Sequence, residues 1–260
     1  MSESSATSRE RLNRFLSRSG IGSRRKADDL IAAGRIALNG IPVERPGVLV
    51  DPLADRVTLD GRRVTPAIND TVWIVLYKPA GTLTTRRDQR GRPVVFDLLP
   101  RKYSQLIPVG RLDQDVTGVL LLTSDGHAAN RLMHPRYGVS RSYEATVIGR
   151  PGSAILRMLG RGIDLGDPTP AHADVSILAP VRDGTRLRVE IREGRKREVK
   201  RMLAAVGHRV LSLHRHSYAG ITLGRLRPGQ WRFCSKTELR RLTDLISETG
   251  PETAMTAGSP

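Results

Sequence analysis

The chain has 260 residues, 38% of them apolar and 4% aromatic, with 43 Lys and Arg against 26 Asp and Glu, a formal charge of +17. That length exceeds one average domain. No apolar run approaches the roughly 20 residues that span a bilayer, and the polar N-terminus MSESSATSRERL holds no apolar signal segment, so a cytosolic protein is expected. The charge favours a polyanionic partner. Arginine supplies most of it, and its planar fork suits phosphate; with no basic amphipathic helix of membrane type, nucleic acid leads over lipid. The single cysteine, Cys234, excludes an intramolecular disulfide and a cysteine-based metal site, and reads as an ordinary packed residue.

Residues 1–8 read as a disordered tail. From Arg9, RLNRFLSRSGIGSRRKADDLIAAGRIALNG predicts two short helices. Leu12, Phe15 and Leu16 line one face of the first; Ser23 can cap the second and Gly34 can close it. RIALNGIPV and VLVDPLADRVTLDGRRV follow as short alternating runs broken by Asn-Gly and Asp-Gly turns. Residues 9–65 therefore form one compact unit. Arg24, Arg25 and Lys26 stand at the start of its second helix, where basic side chains and free N–H groups can converge on a phosphate, although a charge triplet is also simply a solvated face. The segment resembles the small RNA-binding domain shared by ribosomal protein S-four and tyrosyl-tRNA synthetase, which implies RNA as its ligand.

Residues 66–70 read as a linker, and 71–241 as a larger domain. It opens on the strand WIVLYKPAG and continues with LIPVG, VLLLT, YEATVIG, ADVSILAP, TRLRVEIREG and RVLSLHR as strands. Helical patterns are confined to GHAANRLMH, SAILRMLGRG and RKREVKRMLAAVG. That balance predicts an α+β fold on a largely antiparallel sheet. Residues 242–260, which contain no Lys or Arg, read as a flexible tail. Residues 1–65 carry a net +4 and residues 66–260 a net +13, so the larger domain must itself contact the polyanion.

The segment VGRLDQDVTGVLLLTSDG, Val109 to Gly126, sets Asp113 and Asp115 beside Arg111 and ahead of a buried strand. By spacing alone, Asp113 is a structural ion pair or turn cap as readily as a functional carboxylate. Asp125, in Ser-Asp-Gly, reads as a cap for the following helix.

GRLDQDVTGVLLLTSDG resembles the signature of the RsuA-type pseudouridine synthases of ribosomal RNA. YKPAGTLTTRRDQRGRPVVFDLLP resembles their leading motif, LRVEIREGRKREVKRMLAAVGHRVLSLHR their trailing motif, and LGRLRPGQWRFCSKTE their C-terminal segment, in order across residues 9–241. The resemblance implies a mixed, largely antiparallel sheet flanked by helices, and isomerisation of uridine within ribosomal RNA. It also implies that no metal, flavin or nucleotide cofactor is needed, and that the protein is a monomer. KPAGTLTTRRDQRGRPVVFDLLP and GQWR lean towards large-subunit targets.

By the same resemblance Asp113 is the essential carboxylate, attacking C1′ or assisting deprotonation of the ribose. Tyr143 packs on the target uracil, its alternative being a core strand tyrosine. Lys200 is the cation paired with Asp113 that keeps it ionised, its alternative a surface lysine. Arg111 fills the gap left by the extruded base or contacts a phosphate. The basic stretches RRDQRGR, with Arg86 and Arg87, and EGRKREVKR, with Arg195, Lys196 and Arg197, are expected as cleft walls, or else as solvated faces. Two positions depart from the family pattern. Glu198 replaces the usual Gln and is expected to point outward. Arg141 stands where lysine or arginine is usual. Asp115, at a variable position, is expected to face solvent.

Overall fold

The computed structural model describes residues 9–65 and 71–247. The expected tail 1–8, linker 66–70 and the residues after 247 lie outside this range. Backbone contacts divide the chain into two units, Met1–Thr71 and Val72–Pro260.

The first unit runs β1 (Glu10–Arg11), α1 (Leu12–Arg18), α2 (Arg24–Ala32), β2 (Ile36–Leu38), β3 (Ile41–Pro42), β4 (Leu49–Val50), β5 (Val57–Leu59) and β6 (Arg62–Arg63). The three-and-four spacing of Leu12, Phe15 and Leu16 turns all three inward, where they meet Leu30 and Ile31 of α2 and Val57 of β5. The Ser23 hydroxyl caps α2 by accepting from the Lys26 N–H at 3.2 Å. Both predicted turns form. Asn39 and Gly40, at φ 53° and 86°, join β2 to β3, and Asp60 and Gly61, at 49° and 78°, join β5 to β6. Paired positive φ values twist a two-residue turn to match its strands.

The second unit continues with β7 (Trp73–Lys78), β8 (Ile107–Val109), β9 (Thr117–Thr123), α3 (Gly126–Met133), β10 (Arg141–Ile148), α4 (Ser153–Arg161), β11 (Asp174–Val181), β12 (Gly184–Ile191), α5 (Glu198–Ala205), β13 (Val210–Tyr218), β14 (Ile221–Thr222), β15 (Trp231–Phe233) and α6 (Lys236–Ser247). Its strands form one sheet in the order β11-β12-β10-β13-β9-β7-β15, with β14 on β13 and β8 on β9. Every pairing is antiparallel except β13 with β9, where His214 sits opposite Thr117 and Arg215 opposite Gly118. The α+β class and the mixed, mainly antiparallel sheet are as expected. One apolar cluster packs α4 and α5 through Leu159, Met202 and Leu203 against β10, β12 and β13. A second packs α3 and α6 through Leu132 and Leu242 against β7 and β9.

The parallel contact explains a glycine of the signature. Gly118 has φ +117°, and a Cβ there would lie 2.2 Å from the Arg215 carbonyl oxygen. Only hydrogen fits between the two strands.

Two boundaries differ from expectation. Residues 242–247 belong to α6 and are no tail: Leu242 is 1% exposed, and Leu239, Leu245 and Ile246 pack on the same cluster. Their helical spacing outweighs the fall in charge that suggested a tail. Helix α5 starts at Glu198 rather than Arg195, because Arg197 takes a left-handed conformation, φ 53° and ψ 31°, and interrupts the helix before it. Cys234 is packed in the second cluster, and burial pushes its thiol up to about 12, so it is inert at neutral pH.

Candidate active site

The loop from Gly110 to Val116 enters β9 and carries both carboxylates. Gly110, at φ +78°, turns the chain out of β8. Leu112 is then clamped to Thr84: its N–H donates to the Thr84 hydroxyl at 3.2 Å, and that hydroxyl donates to the Leu112 carbonyl at 2.9 Å. The Gly81 N–H donates to the Gln114 carbonyl at 2.8 Å, and the Gln114 side-chain amide donates back to Gly81 at 3.1 Å. Val116 N–H closes a turn on the Asp113 carbonyl at 3.1 Å.

Beneath this loop lies Lys78, with no exposed surface. Its ammonium donates to the carbonyls of Pro79 (2.9 Å), Gln114 (3.2 Å) and Val116 (2.8 Å). Burial pulls the amine down to about 8, against the attraction of Asp115 and Asp113. Sequence reasoning passed over this residue; a lysine ending the otherwise apolar strand WIVLYK was the available signal.

A cavity of about 590 Å³ opens beside the loop, bordered by Arg111, Asp113, Tyr143, Lys196, Arg197 and Lys200. With Arg195, which also borders it, the fold brings together seven site residues named from sequence. Tyr143 is 8% exposed in β10, opposite Val189 and Arg215, so it is both a core tyrosine and a wall of the cavity. Asp113 is 43% exposed at its side chain, and Arg197 Nε stands 4.0 Å from its Oδ2.

The expected pairing of Lys200 with Asp113 is not what the structure shows. The Lys200 ammonium donates to both oxygens of Asp115, at 2.8 and 2.6 Å. These bonds hold the Asp115 carboxyl below the usual carboxylate range. Asp115 does face solvent, but as an ion-pair partner. The turn sets the two carboxylates on different partners: Asp115 meets Lys200 of α5, and Asp113 lies nearest Arg197 just ahead of that helix.

Glu198 also departs from expectation. It points inward and is 3% exposed, its Oε2 accepting the Arg195 N–H at 3.0 Å, and burial pushes its carboxyl up. It takes this N–H from the loop ahead of α5 instead of competing for Lys200.

Two of the expected cleft arginines have structural partners. Arg86 donates to the carbonyls of Ser104, Gln105 and Leu106 and lies over the Phe96 ring, away from the cavity lining. Arg195 borders the cavity, but its guanidinium is tied to Glu193, Asp167, Thr169 and Pro170. Each sits where a loop needs several carbonyls or carboxylates gathered, a task that suits the five donors of arginine. Arg87 is exposed outside the cavity lining, and Arg24, Arg25 and Lys26 are exposed in the N-terminal unit.

The cavity floor holds two more cations that sequence reasoning did not single out for it. Arg215 is 1% exposed and donates through Nε to the Val119 carbonyl at 2.7 Å; Arg141 is 4% exposed and donates to Leu132, Met133 and the Tyr218 hydroxyl. Both guanidinium groups lie 5.0 Å from the Tyr218 ring centroid. Arg141 Nη1 and Arg215 Nη2 have no hydrogen-bond partner among the described residues. The site is therefore a carboxylate in a cationic, partly dry cleft, built for an anionic substrate. Among the described residues no group of His, Cys, Asp and Glu could hold a metal, and no helix is long and apolar enough to cross a membrane.

Comparison with known proteins agrees with this chemistry. Residues 72–205 match the family model described as RNA pseudouridylate synthase, and residues 10–52 match the S4 domain. Ribosomal large subunit pseudouridine synthase B of Bacillus subtilis (strain 168) is 40% identical over 238 residues, which cover 91% of this chain and 96% of that protein. An uncharacterized RNA pseudouridine synthase of Aquifex aeolicus (strain VF5) is 40% identical, over 89% of this chain and 93% of its own. A solved pseudouridylate synthase is 27% identical with a TM-score of 0.64, covering 89% of this chain and 99% of that one.

Proposed function

The chain belongs to the RNA pseudouridylate synthase family, and from that premise we propose that it isomerises uridine to pseudouridine in the ribosomal RNA of the large subunit. The observation that carries the reading is the meeting of Asp113 and Tyr143 in one cationic cavity large enough for a nucleoside. The relatives named as large-subunit enzymes in Bacillus subtilis and Salmonella typhi support the choice of substrate.

A stacked uridine cannot present its anomeric carbon to a carboxylate, so it must leave the helix at a cost of roughly a few kcal/mol. Phosphate contacts from Arg111, Lys196 and Arg197 at the cavity, from Arg87 beyond it, and from Arg24, Arg25 and Lys26 in the N-terminal unit offset that cost and hold register. Within the cavity the N1–C1′ bond breaks, the uracil turns against Tyr143, and C5 bonds to C1′. The C5 proton is lost and N1 gains one, so the reaction is a balanced isomerisation. Asp113 supplies the carboxylate it requires, as nucleophile at C1′ or as base towards the ribose. In this reading residues 9–65 form an RNA-binding module and 71–247 the catalytic domain of a cytoplasmic monomer.

The test is to incubate the purified protein with unmodified large- and small-subunit rRNA and map pseudouridine. A large-subunit site formed by wild type and lost in Asp113→Asn, with RNA affinity within about threefold, is expected. A site on small-subunit RNA alone would overturn the substrate assignment, and near-normal turnover by the variant would remove Asp113 from the chemistry.

A further inference from the structure

The cleft sets two carboxylates near one lysine of α5. Asp113 and Asp115 stand two residues apart on the turn closed by Val116, and Lys200 gives its ammonium wholly to Asp115. Lys200 is 14% exposed at its side chain and Asp115 73%. Lys200 borders the cavity that holds Asp113 and Tyr143. Asp115 borders an adjoining one, of about 580 Å³, formed with Ala80, Gly81 and Gln114. Asp113 and Arg197 are common to both.

The other charged groups around Asp113 are not free to replace Lys200. Lys78, at the end of β7, is sealed against three carbonyls. Arg215, on β13, and Arg141, on β10, are buried and anchored, the first to Val119 and the second to Leu132, Met133 and Tyr218. Each offers one fixed nitrogen to the cavity, unpartnered among the described residues, and Lys196 is exposed. Arg111, on the same loop, is exposed, and Arg197 stands 4.0 Å away with 60% of its side chain in solvent, where screening weakens it. Tyr143 adds a phenol from β10 and no charge. Lys200 alone joins low exposure to a flexible stem ending in a compact charge.

We propose that Asp115 is a positioning residue for the isomerisation: it competes with Asp113 for Lys200, and so sets how far the carboxylate facing the ribose is neutralised. In the RNA-free protein Asp115 holds the lysine. Substrate that enters the adjoining cavity meets this ion pair, and releasing it turns Lys200 towards Asp113. The proposal rests on the reading of Asp113 as the reacting carboxylate.

The test uses the full chain with Asp115→Asn, a substitution at an exposed side chain that leaves the core untouched. Its crystal structure, beside wild type in the same crystal form, is expected to show Lys200 Nζ within about 3.2 Å of an Asp113 carboxylate oxygen. The acid limb of the single-turnover rate of pseudouridine formation is expected to move to lower pH by about one unit. Losing a neighbouring negative charge would act in the same direction by itself, so Lys200→Gln and the double variant are compared. Those two should differ by only the direct charge effect, well short of the shift between wild type and Asp115→Asn, and Asp115→Glu should restore the wild-type profile.

A Lys200 that stays clear of Asp113 in Asp115→Asn overturns the proposal. So does an acid-limb shift of equal size with and without Lys200. The crystallographic arm needs no turnover. If the lysine swings but wild type forms no pseudouridine, the competition stands and the functional reading fails; if wild type turns over and the lysine does not swing, the competition fails alone.

Discussion

Lys78→Met puts the support of the catalytic loop to a quantitative test. The amine lies near 8 in the fold against 10.5 for a free lysine. A folded value below the unfolded one means that folding favours the neutral form. The penalty is fully present below about pH 8 and is relieved as pH rises towards 10.5, where the unfolded chain still binds the proton that the folded chain has lost. Wild type should therefore gain stability across that window, by up to about 3 kcal/mol. At pH 7 methionine removes the buried charge but leaves the Pro79 and Val116 carbonyls without their donor, at about 1–3 kcal/mol each. The two effects oppose each other, so the variant should fold at pH 7 with stability within about 3 kcal/mol of wild type. Urea unfolding of both proteins at pH 7, 8, 9 and 10 isolates the lysine, because the other titrating groups cancel in the difference. The advantage of wild type should climb steadily across the series. Turnover at pH 7 should fall about 100-fold, since a loop displaced by about 1 Å loses the geometry of the reaction. A stability difference that is flat with pH would refute the buried-amine argument, and full turnover would show that the loop holds its place without Lys78.

Gly118→Ala should cost about 3 kcal/mol or more, because its methyl would meet the Arg215 carbonyl where β9 and β13 run parallel; a melting temperature within 2 °C of wild type, by a threshold of about that size, would refute the close approach. Glu198→Gln should be more stable than wild type at pH 7, because burial raises the Glu198 carboxyl and its charged form carries the penalty. As pH falls through the raised value the glutamate protonates and the difference should close, which melting curves at pH 7 and 5 would read; a difference that does not close would show that the charge is compensated.

Much of the architecture was legible because it depends on neighbours in sequence. The Ser23 cap, the Asn39-Gly40 and Asp60-Gly61 turns and the apolar face of α1 follow from residues within four positions of each other. So does Asp125, which caps α3 by accepting from the His127 and Ala128 N–H groups. The signature also marked the loop that carries Asp113, and the structure places that loop beside Tyr143 at the cavity. The same local logic would have found α6 through Leu239, Leu242 and Ile246.

The electrostatics of the cleft were decided only in three dimensions. Whether Lys200 meets Asp113 or Asp115 turns on the direction of side chains 85 residues away in sequence. The apolar strand WIVLYK hints that Lys78 is buried, but nothing near it in sequence says that a loop 36 to 38 residues further on supplies the carbonyls that hold its ammonium. Glu198 faces inward and Arg86 and Arg195 are occupied because each satisfies backbone or side-chain groups gathered there by folding. Residue types and their spacing establish which charges the chain carries and which short elements it forms. The partner of each charge depends on distances of a few ångströms between segments far apart in the chain, and Coulomb and hydrogen-bond energies change steeply over that range.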